Sequence, residues 1–131
     1  FGSVEETLKP RFDSLCKNDR LQFVGWQNVE NTYCLMNAAD LIVFPGLHSV
    51  MWEQAVALGI PCVFRDIEGF HHVDLGGNAV FLKDVTEDSL KKTIEDLYSS
   101  PDEYRRMKDI ASRKGMQYFS YKNISKRSIE K

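Results

Sequence analysis

In the run Phe44-Pro-Gly-Leu-His-Ser-Val-Met-Trp-Glu53, a histidine, a serine and a glutamate fall close enough together to share one ligand. Apolar residues 41–44 end at Pro45-Gly46, a helix opens near His48 or Ser49, and Gly59 and Pro61 close it before the next apolar run. Unpaired amide N–H groups at such a helix start, with the positive end of its dipole, suit a diphosphate. His48 and Ser49 add side-chain donors at the same place. Glu53, one turn further on, can accept two hydrogen bonds at once, which suits the paired hydroxyls of a ribose. Each residue also has a plain structural reading: Glu53 as a solvated carboxylate paired with a nearby Lys or Arg, Ser49 as an N-cap, His48 as a turn residue.

The elements that must position these residues follow from hydrophobic spacing. A helix from Ser3 carries Val4, Leu8, Phe12 and Leu15 on one face, with Pro10 kinking it or delaying its start. Leu21-Gln-Phe-Val24 reads as a strand ending at Gly25, and Asn28 as the cap of a helix with Val29, Tyr33, Leu35 and Met36 inward. Residues 41–44, 61–64 and 79–82 read as further strands, and residues 49–58 as the helix between the first two of them. A helix from Thr86 turns Leu90, Ile94 and Leu97 inward, and another from Pro101 runs through Tyr104, Met107, Ile110 and Ala111. A last helix is expected in the aromatic and basic tail from Tyr118 to Lys131. This alternation predicts an α/β fold: a doubly wound, Rossmann-like parallel sheet in three α/β/α layers. Ligands of such sheets bind beyond the carboxyl ends of the strands. There the reading places Gly25, Trp26 and Gln27, then Gly46, Leu47, His48 and Ser49, then Asp66, Glu68, Gly69, Phe70 and His71.

With 131 residues, 43% apolar and 27% charged, the chain has room for one globular domain or a piece of a larger protein. A net charge of -2 gives no electrostatic reason to bind nucleic acid or an anionic membrane. The three cysteines, Cys16, Cys34 and Cys62, are widely spaced in apolar patterns and read as buried, reduced thiols of a cytoplasmic protein. Cys62 in particular reads as a core thiol rather than a nucleophile. No transmembrane segment or signal peptide is visible, and Phe1-Gly2-Ser3 reads as though a preceding strand had been left behind. The adjacent pair His71-His72 should point its rings apart and offers no metal-ligand spacing, so no metal is expected. Trp26 can cover a planar base or pack beneath a loop. Neither a glycine-rich dinucleotide fingerprint nor a Walker-type loop is present in the sequence.

Taken in order, these pieces resemble the carboxyl-terminal, nucleotide-sugar-binding domain of GT-B glycosyltransferases, most closely the family 4, group 1 enzymes of polysaccharide biosynthesis. The likeness rests on Leu21-Gln-Phe-Val-Gly25 with Met36-Asn-Ala-Ala-Asp40, on Asp40-Leu-Ile-Val-Phe-Pro45 with Glu53-Gln-Ala-Val-Ala-Leu-Gly-Ile-Pro61, and on Ser99-Ser-Pro-Asp-Glu-Tyr-Arg105. It implies that residues 1–117 form the donor-binding domain, one half of a GT-B fold with its first strand before Phe1. Residues 118–131 would form a helix crossing back to the other half. Glu53 matches the second glutamate of the family's Glu-x7-Glu motif and would hold the donor ribose. His48, Ser49 and Val50 would meet the diphosphate, Gly46 and Leu47 the donor sugar, and Val24 and Trp26 the base. Eight residues before Glu53, where the family has its first glutamate, this chain has Pro45.

The resemblance further implies a UDP- or GDP-linked sugar as substrate, with no cofactor and no obligatory metal. Its acceptor would be a saccharide or a lipid-linked saccharide. The acceptor site and the catalytic residues would lie in an amino-terminal domain of the same protein, through which peripheral membrane association could also arise. Without that domain the chain would bind donor weakly and transfer nothing. Two other readings compete: a sugar-nucleotide epimerase domain of the same fold, and a non-catalytic α/β binding or regulatory domain.

Overall fold

Three short runs of β-branched and aromatic residues build one parallel sheet, and their two-residue alternation gives its faces different chemistry. In the computed structural model, which describes residues 2–130, the strands are β1 (Ile42–Phe44), β2 (Cys62–Arg65) and β3 (Ala79–Leu82), in the order β1-β2-β3. Phe1, where the sequence suggests a lost strand, and Lys131, the last residue of the tail, lie outside the described residues. Register pairs Val43 with Val63 and Val63 with Val80, and on the neighbouring positions Phe44 with Phe64 and Phe64 with Phe81. One face therefore carries a row of valines and the other a row of phenylalanines.

Helices cover both faces, as the doubly wound reading requires. On the valine side, Val63 and Leu82 pack with Leu97 and Met107, joined by Leu41, Val43, Val80 and Leu90. Leu90 and Leu97 belong to α4 (Glu87–Ser99), and Met107 to α5 (Pro101–Phe119). Thr86 starts α4 with a reciprocal cap, its hydroxyl accepting from the Ser89 amide at 3.1 Å while the Ser89 hydroxyl accepts from the Thr86 amide at 3.1 Å. On the phenylalanine side, α3 (Met51–Ala57) links β1 to β2 and stacks Trp52 on Phe64 with ring centroids 4.4 Å apart. α5 also reaches α3: a Cβ on Gly115 would lie 1.9 Å from the Val56 carbonyl oxygen, so only glycine permits this approach. After Ser120, whose hydroxyl accepts from the Asn123 amide at 3.3 Å, the chain continues into α6 (Tyr121–Ile129).

Two compact units divide the chain between Leu35 and Met36. The first holds a 3-10 turn (Glu6–Leu8), α1 (Lys9–Leu15) and most of α2 (Val29–Asn37), within which the division falls. Ser3 is not a helix cap. The helix starts late, with Pro10 in its first turn, where the missing N–H costs no hydrogen bond. Residues 21–24 do not form the expected strand. A strand needs a ladder partner, and this segment is instead anchored by Phe23, whose ring meets Phe12 edge-on at 4.8 Å. Asn28 caps α2 as expected, its side-chain oxygen accepting from the Asn31 amide at 2.8 Å. Only Met36 of that helix is buried, and Val29 and Leu35 are exposed. The cysteines are free thiols, but only Cys62 is buried; Cys16 is half-buried and Cys34 exposed, correcting the expectation of three core thiols.

Candidate functional site

The site begins where β1 ends. Gly46, Leu47, Ser49 and Val50 are exposed in the turn between β1 and α3. Ser49 is not the N-cap; its carbonyl accepts from the Trp52 amide at 2.9 Å, and Val50 occupies the cap position with no side-chain cap bond. A serine side chain caps best from an extended backbone, whereas the cap position here has helical torsions, φ -54° and ψ -18°. His48 turns inward, stacked on Phe70 at 4.2 Å and edge-on to Trp52 at 5.2 Å. Trp52 is wholly buried. The α3 residue after it, Glu53, is thereby held at the border of the aromatic bed, with one-fifth of its side chain exposed.

A second segment converges on the same carboxylate. After β2, a 3-10 turn (His71–Val73) sends its two histidines apart, as adjacent residues must be. His71 contacts Asp66 Oδ1 through Nε2 at 2.6 Å and lies against Phe81, ring centroids 4.5 Å apart. His72 reaches Glu53. Val73 is fully buried beneath the turn, and the equally buried Asn78 accepts from the Leu75 amide at 2.5 Å and donates to the Val73 carbonyl at 3.1 Å. The loop that presents His72 is thus fastened at both ends.

Glu53 Oε1 lies 2.8 Å from Nε2 of His48 and 2.8 Å from Nε2 of His72. Burial pushes the Glu53 pKa up, but the hydrogen bonds from His48 and His72 outweigh it, with help from the residue's own amide and the His48 charge; the net direction is down. The group is therefore an acceptor-only carboxylate at neutral pH, and both imidazoles donate to it. Its other oxygen, Oε2, is buried without a hydrogen-bond partner among the described residues, as is Trp52 Nε1. His48, Glu53 and His72 also offer three atoms of the kind that ligate a divalent metal, all within 4.8 Å of one another.

His72 further lines a cleft of about 850 Å³ with Leu75, Lys114, Tyr118, Lys126 and Arg127. Gly46, Leu47, His48, Ser49, Val50 and Glu53 do not border it. Val24 and Trp26 belong to the first unit, where the Gln27 side chain donates to the Val24 carbonyl and the Trp26 ring is 79% exposed. Of the residues singled out in the sequence, the fold joins His48 to Glu53 directly and Phe70 to His48. In the sequence His72 reads only as half of the His71-His72 pair without metal-ligand spacing; its bond to Glu53 is not legible there, because the partner lies 19 positions away. No described helix is long and apolar enough to cross a membrane.

Residues 1–114 match the family model described as Glycosyl transferases group 1. No curated protein matches the chain.

Proposed function

Because this chain belongs to the group 1 glycosyl transferases, we propose that it binds the nucleoside-diphosphate sugar donor. In this reading Glu53 accepts from the donor ribose, and His48, Ser49 and Val50 meet the diphosphate. Gly46 and Leu47 approach the donor sugar. The observation that carries it is the family match over residues 1–114, with an ionised Glu53 carboxylate in the first turn of α3 just after the β1–α3 turn.

The reaction would be glycosyl transfer to a saccharide or lipid-linked acceptor. That acceptor, with the catalytic residues, would be held by an amino-terminal domain of the same protein, and the segment from residue 118 would cross back to it. His48 and the amides near Ser49 and Val50 would stabilise charge on the departing nucleoside diphosphate, with no obligatory metal. Pro45 stands where the family's first glutamate would meet the donor sugar, so sugar selection here would rest on the Gly46-Leu47 backbone and the acceptor side. Titration of the chain with UDP, GDP and ADP by calorimetry tests the reading. One nucleotide should bind between millimolar and micromolar, and Glu53→Ala should weaken it by roughly 1–3 kcal/mol. A folded chain that responds to none of the three refutes it.

A further inference from the structure

The last turns of α5 and the middle of α6 repeat one pattern. Lys114, Gln117 and Tyr118 stand at positions i, i+3 and i+4 of α5, and Asn123, Lys126 and Arg127 at the same spacing on α6, so each helix has one polar, basic face. Both faces line the cleft of about 850 Å³, together with Asp74 and Leu75 of the loop before β3. Lys114, Lys126 and Arg127 thus stand against a single carboxylate. On a chain whose net charge is -2, that surplus of positive charge is a local feature. Asp74 is turned to the backbone, its Oδ1 accepting from the Gly76 and Gly77 amides at 3.1 and 2.6 Å. Lys114 Nζ donates to the Leu75 carbonyl at 2.6 Å, which uses one of its three N–H groups. Arg127 lies over the Tyr118 ring at 4.2 Å, a contact made by the face of the guanidinium that leaves its edge to donate. Lys126 stands 3.7 Å from Glu130 in a solvent-exposed pair, of the kind that contributes little.

We infer that this cleft is a second ligand site, separate from Glu53, and that it takes a sugar bearing a phosphate monoester. A phosphate monoester carries about -1.5 to -2 charges at neutral pH, which matches three cations against one carboxylate better than the single charge of a carboxylic acid does. The Arg127 fork suits two phosphate oxygens at once, and the two lysines add point charges. For the sugar, the cleft offers the Tyr118 hydroxyl and the side-chain amides of Gln117 and Asn123. Asn123 donates through its amide nitrogen to the Gln117 carbonyl at 2.6 Å, and its oxygen remains to accept from a hydroxyl. The concave shape concentrates the field of the cations on a small anion, and the volume lies within the roughly 300–1,000 Å³ of small-ligand sites. Neither Glu53 nor residues 46–50 line this cleft, so the inference stands apart from the donor-binding reading.

The experiment titrates the full, isotope-labelled chain with glucose 6-phosphate, glucuronate and glucose, and follows backbone chemical shifts. Glucose 6-phosphate should bind with a Kd of about 1 mM or tighter, glucuronate about five-fold or more weaker, and glucose without a measurable response. Arg127→Gln and Lys126→Gln, both at exposed positions, should each weaken glucose 6-phosphate about three- to ten-fold with the melting temperature unchanged. Raising the salt from about 50 to about 300 mM should weaken it as well. Lys91→Gln, which removes an exposed cation of α4 outside the cleft, should leave the affinity as it is, and so should Glu53→Ala. No saturation by about 20 mM glucose 6-phosphate overturns the inference, as does equal affinity in Arg127→Gln and Lys126→Gln. Displacement of glucose 6-phosphate by UDP, GDP or ADP would put both ligands in one site and would overturn it too. Binding to vesicles of anionic phospholipid with no response to glucose 6-phosphate would show that the basic faces meet a membrane instead. Failure of the chain to bind any nucleotide, with glucose 6-phosphate bound as described, overturns the donor-binding reading and leaves this inference standing.

Discussion

The two faces of the sheet are one residue out of phase and do different things. The face of Val43, Val63 and Val80 meets Leu90, Leu97 and Met107 in a cluster without a polar side chain. Its interactions are non-directional, and any set of side chains of similar volume would serve. The face of Phe44, Phe64 and Phe81 carries Trp52 above it, with His48 and His71 against its aromatic rings. Rings have few torsions and preferred contact geometries, so they hold polar neighbours at defined places. The aliphatic face fastens the fold; the aromatic face aims Glu53.

If that division is right, damage to the two faces should separate stability from binding. Trp52→Ala removes the largest fully buried side chain and should cost about 3–5 kcal/mol in chemical denaturation. It should also abolish the nucleotide response, since Glu53 and His48 lose their support. Leu97→Ala should cost about 2–4 kcal/mol on the other face, yet leave nucleotide affinity unchanged wherever the variant remains folded. Loss of binding in this second variant would break the distinction between the faces.

A smaller effect concerns acid. The folded-state pKa of Glu53 lies below its ordinary value of 4.5, so its ionised form stabilises the native state above that pH. The contribution disappears as pH falls through the lowered folded value. Denaturation curves of Glu53→Gln should therefore show a shallower loss of stability below about pH 4.5 than the unaltered chain; parallel curves would mean that the histidine bonds contribute nothing. The smallest expected change is chemical. Burial pushes the Cys62 thiol up to about 12, whereas Cys34 is exposed. At pH 8 the thiolate fraction of Cys62 is about a thousandfold below that of an ordinary thiol of pKa near 8.5. A thiol-reactive dye should label Cys34 in the folded chain and Cys62 only on unfolding.

Much of the aliphatic face could be read directly. The apolar runs at residues 41–44, 61–64 and 79–82, the Thr86 cap and the inward Leu90 and Leu97 are local patterns, and the sheet and α4 follow them. The segment at residues 21–24 is also largely apolar but has no ladder, because pairing is a property of two segments and periodicity describes one. Ser49 failed as a cap for a related reason: the turn brings Val50 into helical torsions before the helix begins. Spacing could place Glu53 and His48 beside one ligand, but not in contact with each other. Nor could it show their third member, since His72 meets them only after β2 and its following turn have folded across.

A double-mutant cycle tests whether Glu53 holds a ribose, as proposed above. The affinities to compare are those of the bound nucleotide and its deoxy form, for the unaltered chain and for Glu53→Ala. The deoxy penalty, about 1–3 kcal/mol, should vanish when Glu53 is removed. A penalty of the same size in both chains would show that the sugar hydroxyls are held elsewhere.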